Sequence, residues 1–198
     1  MERSSTLTDR TAPTAARARR QTPAILLDRD GVINRDLGYV ARIADFEFLP
    51  GVFAALRALA AGGFRLIVVT NQSGIGRGLY SPADFQTLND WMLAQLRGEG
   101  VEIAAVYHCP HAPEANCGCR KPAPGLLLEA ARAHRLDLAR SWLVGDKPSD
   151  IEAARRAGVG RAVLVRSGQP LAPCCDADHV CDSLADLPQL IVRCEALL

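Results

Sequence analysis

The chain has 198 residues, of which 48% are apolar and 23% are charged, and its formal net charge is +1. This is an ordinary globular composition at a length typical of one domain, which excludes a collagen-like chain and a wholly disordered one. Because no apolar run reaches the roughly 18 residues that a membrane helix needs, the sequence predicts no transmembrane segment.

Charge is unevenly distributed along the chain. Residues 1–22 carry five arginines and two acidic residues, a net +3, which leaves −2 for residues 23–198. The leading segment is rich in Ser, Thr, Ala and Arg, so we expect a disordered tail, with an organelle transit peptide as the alternative and no secretory signal. The weakly acidic remainder is predicted to be a single cytoplasmic domain that binds neither membranes nor nucleic acid.

Short apolar runs alternate with helical patterns along the body of the chain. The runs are rich in Val, Ile and Leu without polar alternation, as in strands buried on both faces, and lie at 24–27, 65–69, 103–107, 141–144 and 161–165. Helices are predicted at 52–60, 81–97, 124–134 and 149–157, the second with Ser81 as its N-cap. A short strand near 179–181 and a helix around 184–197 complete the pattern.

This alternation predicts an α/β fold, namely a Rossmann-like, doubly wound parallel sheet with helices on both faces. In such sheets the ligand crevice lies beyond the carboxyl ends of the strands. Candidate functional residues are therefore sought in the loops that follow the predicted strands.

The loops after the first two strands are polar. The first reads Asp28-Arg29-Asp30-Gly31. Its two carboxylates repel each other unless a cation or a proton lies between them, and Mg²⁺ prefers such oxygen ligands. A solvated turn is the alternative. The second loop consists of Thr70, Asn71, Gln72 and Ser73. Its hydroxyl and amide groups could bind an anion, although an ordinary turn is the commoner role of such a segment.

Lysine is rare in this chain and its positions are informative. Of the 23 basic residues only two are lysines, Lys121 after the third strand and Lys147 after the fourth. Lysine is a compact point charge that suits a phosphate or a bridge between carboxylates, which the planar arginine does not imitate. The two positions therefore favour contact with an anion over a purely surface role.

Cysteine and histidine cluster between residues 109 and 119. The three thiols and one imidazole match the ligands of a tetrahedral Zn²⁺ site, and they belong to Cys109, His111, Cys117 and Cys119. Because four protein ligands leave no open position for water, such a site is structural. A chance cluster of thiols is the alternative. The total of seven cysteines is odd and three of them crowd into residues 109–119, which indicates metal ligation in a reducing compartment rather than a disulfide framework. We expect bound zinc to fix the positions of Arg120 and Lys121, the two cationic residues that directly follow the cluster.

Taken in order, the four loops resemble the motifs of the haloacid-dehalogenase (HAD) superfamily of phosphatases. The matching positions are Asp28-Arg29-Asp30-Gly31, Thr70, Lys121, and Gly145-Asp146 with Asp150. The resemblance extends from residue 24 to about residue 166. It implies a two-step phosphoryl transfer to and from an aspartate.

The resemblance also assigns roles to individual residues. Asp28 would be the nucleophile that forms an aspartyl-phosphate, and Asp30 the acid that protonates the leaving oxygen and later activates water. Mg²⁺ would be held by the Asp28 carboxylate, the Asp30 backbone carbonyl and Asp146. The phosphoryl group would be fixed by Thr70, the Asn71 amide and Lys121. Lys147 and Asp150 would support the site, with helix capping an equal role for Asp150.

The zinc loop narrows the resemblance to the zinc-containing, capless branch, which includes the heptose 1,7-bisphosphate 7-phosphatases and the histidinol-phosphate phosphatases. The segments DRDGVIN, DLGYV, TNQSGIGRG, CPH with CGCRKP, and GDKPSD resemble the heptose enzymes, with Val32 at a position where the family usually has Thr. By this resemblance, the sugar would be lined by Asp36, Leu37, Gly38 and Tyr39. The phosphates would meet residues 70–73, Arg120 and Lys121, and Arg120, or as a weaker candidate Arg77, would bind the phosphate that does not react.

The resemblance therefore implies a monomeric, Mg²⁺-dependent phosphatase of a small sugar bisphosphate, in the biosynthesis of nucleotide-activated heptose for surface glycans such as lipopolysaccharide. Two alternatives stay open. A histidinol-phosphate phosphatase would share the same catalytic loops, so sequence separates it poorly. A zinc-knuckle nucleic-acid-binding module is disfavoured by the acidic body and by the lack of interleaved aromatic residues.

Overall fold

The computed structural model describes residues 21–168 and 176–196. Within these residues the strands form one sheet in the order β3-β2-β1-β4-β5-β6, and every neighbouring pair is parallel. Their bounds are β1 Ala24–Leu27, β2 Arg65–Asn71, β3 Ala105–Cys109, β4 Trp142–Gly145, β5 Arg161–Val165 and β6 His179–Cys181. The predicted α/β, Rossmann-like architecture is confirmed.

Helices cover both faces of the sheet. They are α1 Val52–Ala61, α2 Ser73–Gly76, α3 Pro82–Gly98, α4 Gly125–His134, α5 Pro148–Ala157 and α6 Leu187–Glu195. Successive residues of β1 point to opposite faces. Ile25 and Leu27 pack with α1, α3 and α6, whereas Ala24 and Leu26 pack with α4 and α5. Burial on both faces explains why the strand sequences lack polar alternation.

The start of α3 follows the predicted capping. The backbone N–H of Asp84 donates to Ser81 Oγ at 3.1 Å, and the backbone N–H of Ser81 donates to Asp84 Oδ2 at 2.8 Å. This reciprocal capping box satisfies two backbone donors that the first turn would otherwise leave without partners. Behind it, α3 buries Phe85, Leu88 and Met92 against the sheet.

Two strands end two residues later than the sequence predicts, and β4 ends one residue later. β2 continues through Thr70 to Asn71, and β3 begins and ends two residues later than expected, so that Asn71 pairs with Cys109. The prediction was wrong there because it followed the apolar run, and Ile103 is buried without being part of the ladder. The extension brings polar side chains and a cysteine to the carboxyl edge of the sheet. The short helix α2 directly after it was not predicted.

The predicted tail lies, up to residue 20, outside the described residues. Its last residue, Thr22, is described: its N–H donates to the carbonyl of Arg135 at 3.2 Å and its carbonyl accepts from the N–H of Asp137 at 3.0 Å. Among the described helices, none has the length and apolar character needed to cross a membrane.

Candidate active site

A cleft of about 500 Å³ opens at the carboxyl ends of the central strands, where the sequence predicts the ligand crevice. Most of the predicted site residues line it. They are Asp28, Asp30, Asp36, Gly38, Tyr39, Thr70, Asn71, Gln72, Ser73, Arg120, Lys121 and Lys147, joined by Tyr80, Pro122, Ser149 and Asp150. Leu37 lies outside it and lines an adjoining cavity of about 710 Å³.

Three buried carboxylates meet at the base of this cleft. Asp28, Asp146 and Asp150 each place an oxygen within 4.8 Å of the others. Pairing of β1 with β4 brings the first two together, and the backbone N–H of Asp28 donates to the carbonyl of Val144 at 2.9 Å. Asp150 reaches them from the first turn of α5 and also caps it, because Oδ2 accepts from the backbone N–H of Lys147 at 3.0 Å.

Lys121 neutralises part of this negative charge. Its ammonium lies 3.1 Å from Asp28 Oδ1 and 2.6 Å from Asp150 Oδ1, and donates to the carbonyl of Val69 at 2.8 Å. Burial opposes the charged form, but the two carboxylates outweigh it and raise the pKa of Lys121 above its usual value. The ammonium is therefore a permanent positive charge beside the candidate nucleophile.

The side chain of Asn71 holds Lys121 in position. Asn71 Oδ1 accepts from the backbone N–H of Lys121 and Asn71 Nδ2 donates to its carbonyl, both at 3.0 Å. The sequence predicts an amide that contacts phosphate at this position. In the structure the side-chain amide bonds the backbone of Lys121, and Asn71 also lines the cleft, so its contact with phosphate stays a prediction.

The residues around Asp146 fit a hard cation such as Mg²⁺. Both carboxylate oxygens of Asp146 are buried and neither has a hydrogen-bond partner among the described residues, with Lys147 Nζ at 3.5 Å from Oδ2. Burial, reinforced by the Asp28 carboxylate, raises the pKa of Asp146 to about 7. A Cβ at Gly31 or Gly168 would overlap this carboxylate, so the surrounding backbone requires glycine there. A divalent cation would satisfy the unpartnered lone pairs of the two oxygens and favour the ionised form.

The carboxylate of Asp30 lies outside this trio and is held by side-chain donors. It accepts from Arg29 Nη2 at 3.0 Å, from Asn34 Nδ2 at 2.9 Å and from Gln72 Nε2 at 2.9 Å. The guanidinium of Arg29 is fully buried and also donates to the carbonyl of Val40 at 2.8 Å. The sequence predicts Asp30, but it gives Arg29 no role beyond its place in the motif.

Gln72 connects Asp30 to the neighbouring loop. Its Nε2 also donates to Thr70 Oγ1 at 2.9 Å, and its Oε1 accepts from the Tyr80 hydroxyl at 2.7 Å. Burial raises the pKa of Tyr80 to about 12, so its hydroxyl stays protonated and able to donate. The sequence predicts Gln72 as a phosphate contact and does not predict Tyr80, because no local pattern marks a tyrosine that precedes a helix N-cap.

The predicted sugar-side residues form a loop that Lys147 ties to the cleft. Lys147 Nζ lies 3.0 Å from Asp36 Oδ2, and Asp36 Oδ1 accepts from the backbone N–H of Gly38 at 3.0 Å. Leu37 and Tyr39 project outward, each about half exposed.

The two arginine candidates for a second phosphate differ in placement. Arg120 lines the cleft, and its buried Nη1 has no hydrogen-bond partner among the described residues. Arg77 is not among the residues that line it and forms a loose ion pair with Glu114, with 3.9 Å between the nearest charged atoms. The geometry thus favours Arg120.

The predicted zinc ligands converge at the end of β3. The sulfur atoms of Cys109, Cys117 and Cys119 lie 3.1 to 3.5 Å apart, and His111 Nδ1 is 3.2 Å from the Cys119 sulfur. Four donors at such separations fit around one tetrahedral ion, and their thiolate and imidazole chemistry suits Zn²⁺. His108 is not part of the cluster, since its ring packs against Phe85.

Three comparisons place these features among known proteins. A family model described as HAD-hydrolase-like matches residues 118–187. The chain is 50% identical over 183 residues to a D-glycero-beta-D-manno-heptose-1,7-bisphosphate 7-phosphatase of Escherichia coli (strain K12), covering 88% of this chain and 96% of the relative. A protein of the same name from Vibrio cholerae is 46% identical over 180 residues, covering 86% and 97%. A D,D-heptose 1,7-bisphosphate phosphatase from B. bronchiseptica, solved with magnesium and phosphate, gives a TM-score of 0.78 at 35% identity, covering 86% of this chain and 98% of that one.

Proposed function

The chain belongs to the heptose 1,7-bisphosphate phosphatase family of HAD-like hydrolases, and from this we propose that it removes the 7-phosphate of D-glycero-D-manno-heptose 1,7-bisphosphate. The observation that carries the proposal is the buried trio of carboxylates with Lys121 at the base of the cleft. The names of the relatives specify the beta anomer, which we propose as the preferred form. The product would feed the synthesis of nucleotide-activated heptose for surface glycans such as lipopolysaccharide.

Asp28 is the proposed nucleophile. Two donors orient its Oδ1, the Lys121 ammonium at 3.1 Å and the backbone N–H of Arg29 at 2.8 Å. A carboxylate oxygen attacks phosphorus, a phosphorus–oxygen bond to Asp28 forms, and the bond to the sugar oxygen breaks. Water then attacks the same phosphorus, which releases phosphate and restores the carboxylate.

Asp30 is the proposed proton carrier for both steps. It gives a proton to the departing sugar oxygen and later takes one from the attacking water. Its hydrogen bonds to Asn34 and Gln72 hold the carboxylate in one orientation, as such a transfer requires.

Cations would neutralise part of the negative charge on the phosphates. The carboxylates of Asp28 and Asp146 and the backbone carbonyl of Asp30 would hold Mg²⁺, which supplies positive charge opposite the phosphoryl oxygens. Support comes from the fit of Asp146 and from the B. bronchiseptica relative solved with magnesium and phosphate. Lys121 and Thr70 would contact the reacting phosphoryl group, and Arg120 the phosphate that stays on the sugar.

We further propose the cellular compartment, the partner, the oligomeric state and the domain bounds that the sequence predicts. Thiols arranged as metal ligands need a reducing compartment, which supports the cytoplasm. The proposed partner is the small sugar phosphate alone, with no nucleic acid or membrane, and the proposed form is a monomer. Residues 23–198 would be the catalytic domain and residues 1–22 a tail without a role in catalysis.

A phosphate-release assay tests the proposed activity. It compares both anomers of the heptose bisphosphate with histidinol phosphate and nucleoside monophosphates, each with and without Mg²⁺. We expect kcat/KM for the beta bisphosphate to exceed that for histidinol phosphate by roughly 100-fold or more, and chelation to abolish turnover reversibly. A preference for histidinol phosphate would contradict the proposal and identify the alternative enzyme.

Arg120→Ala is expected to raise KM for the heptose bisphosphate roughly tenfold and to leave KM for heptose 7-phosphate nearly unchanged. The reason is that only the bisphosphate carries a second phosphate for Arg120 to bind. Arg77→Ala is the matched control, because its side chain pairs at the surface with Glu114. Equal effects of the two variants on both substrates would exclude Arg120 as the second phosphate contact.

Cys117→Ser is expected to remove bound zinc and to lower kcat/KM roughly tenfold, because the loop that ends at Arg120 and Lys121 loses its fixed shape. Zinc content is measured by elemental analysis of the purified protein and compared with Cys194→Ser, whose sulfur lies outside the cluster, 3.5 Å from His179. A variant that lacks zinc and retains full activity would show that the loop does not position the phosphate-binding cations.

A further inference from the structure

We propose that Tyr80 is a positioning residue for proton transfer, acting through Gln72 on the carboxylate of Asp30. The inference rests on the proposed function in one respect, since Asp30 must be the acid that protonates the leaving group. Tyr80 itself contacts Gln72 and not the Asp30 carboxylate, so its effect would be indirect.

The amide of Gln72 uses its full hydrogen-bonding capacity. Its oxygen accepts from the Tyr80 hydroxyl at 2.7 Å and from Arg29 Nη2 at 3.3 Å. Its nitrogen donates to Asp30 Oδ2 and to Thr70 Oγ1, each at 2.9 Å. A primary amide offers two donors and one carbonyl oxygen, so all of them are engaged.

Tyr80 helps to hold this amide in its orientation. If the amide were rotated by half a turn, its NH₂ group would face the Arg29 guanidinium, which only donates, and its oxygen would face the Asp30 carboxylate, which only accepts when ionised. The contact with Tyr80 is much shorter than the contact with Arg29 and is the stronger of the two. Loss of the hydroxyl would leave the amide oxygen with only the 3.3 Å contact to Arg29, so the amide would be held less firmly and Asp30 would have a less fixed donor.

The ring of Tyr80 is itself fixed. It packs against Gly74 so closely that a Cβ at that glycine would collide with the ring. The ring also lies between the catalytic cleft and the adjoining cavity of about 710 Å³, since it lines both. The hydroxyl is thus anchored by packing, and Tyr80→Phe removes the donor while leaving the packing in place.

The leaving group provides the test, because only a poor one needs an acid. A sugar alkoxide must be protonated as it departs, whereas p-nitrophenolate leaves readily without a proton. The ratio kcat/KM covers the steps up to the loss of the leaving group. We expect Tyr80→Phe to lower kcat/KM roughly tenfold for the sugar phosphate and less than about twofold for p-nitrophenyl phosphate.

Two further variants sharpen the experiment. Tyr107 lies in β3 and is not among the residues that line the cleft, so Tyr107→Phe is expected to change kcat/KM for neither substrate. In a Gln72→Ala background, Tyr80→Phe is expected to cause no additional loss, because the connecting amide is already absent. An additional loss in that background would overturn the route through Gln72.

The remaining outcomes also decide the proposal. Equal losses on both substrates would overturn it and show that Tyr80 shapes the phosphate site, and unchanged activity on the sugar phosphate would overturn it as well. The wild-type assay tests the proposed function separately. If the wild type does not hydrolyse the heptose bisphosphate, the same comparison is made with the alkyl phosphate that it does hydrolyse.

Discussion

Asp28→Asn is expected to lower kcat by at least about 10³-fold, because an amide cannot attack phosphorus to form the covalent intermediate. The change replaces one carboxylate oxygen by nitrogen at nearly constant volume. The hydrogen bond from the backbone N–H of Arg29 to Oδ1 can persist, and one negative charge is removed from a crowded trio. The fold should therefore survive, as judged by circular dichroism and thermal unfolding.

Asp90→Asn is the matched control for this prediction. Asp90 is exposed on α3, where it accepts a hydrogen bond from Gln86, and it should retain the wild-type kcat when changed. An Asp28→Asn variant that is folded and keeps more than a few per cent of wild-type kcat would exclude Asp28 as the nucleophile.

Lys121→Met is expected to lower both stability and activity. Its side chain is 2% exposed, and its removal would leave the buried carboxylates of Asp28 and Asp150 without their cation. Removing one partner of a buried ion pair costs about 3–5 kcal/mol of unfolding free energy, and losing one fixed charge at the reacting phosphate lowers kcat by about 10²–10³-fold. Urea unfolding without added Mg²⁺ and steady-state kinetics measure the two effects.

Lys147, the other lysine of the chain, provides the control for the effect on stability. The Lys147 side chain is 40% exposed, so Lys147→Met should cost about 1 kcal/mol or less. Adding Asp150→Asn to Lys121→Met should restore part of the stability, because one uncompensated charge is gone, but not the activity. A Lys121→Met protein no less stable than Lys147→Met would contradict the account of the buried charges.

The fold and the core of the site were predictable because their signals are local. The apolar run 24–27 and the segment 161–165, which is apolar after Arg161, coincide with β1 and β5. The parallel arrangement then requires Asp28 and Asp146 to share one edge of the sheet. The capping signal at Ser81 was equally reliable, because it depends on residues three apart in the chain.

The side-chain partners were not predictable because they depend on tertiary contacts. The sequence presents Asn71 and Gln72 as two amides available to an anion, but it does not indicate that the Asn71 side chain bonds the backbone of Lys121 or that Gln72 joins Asp30 to Tyr80. Which partner an amide meets depends on how far β2 extends and on the path of the chain after it. Leu37 lines the neighbouring cavity rather than the cleft, and no local pattern in the sequence indicates that division.

Trapping the phosphorylated enzyme would test most directly whether Asp28 carries the phosphoryl group. In Asp30→Asn the proposed activation of water is lost, while p-nitrophenyl phosphate can still phosphorylate Asp28, so the intermediate should accumulate. After acid quench and proteolysis, mass spectrometry is expected to find one added PO₃ group on Asp28 and none on the corresponding peptide of Asp28→Asn. A phosphoryl group on any other residue, or its absence from a variant that still releases p-nitrophenol, would contradict the mechanism.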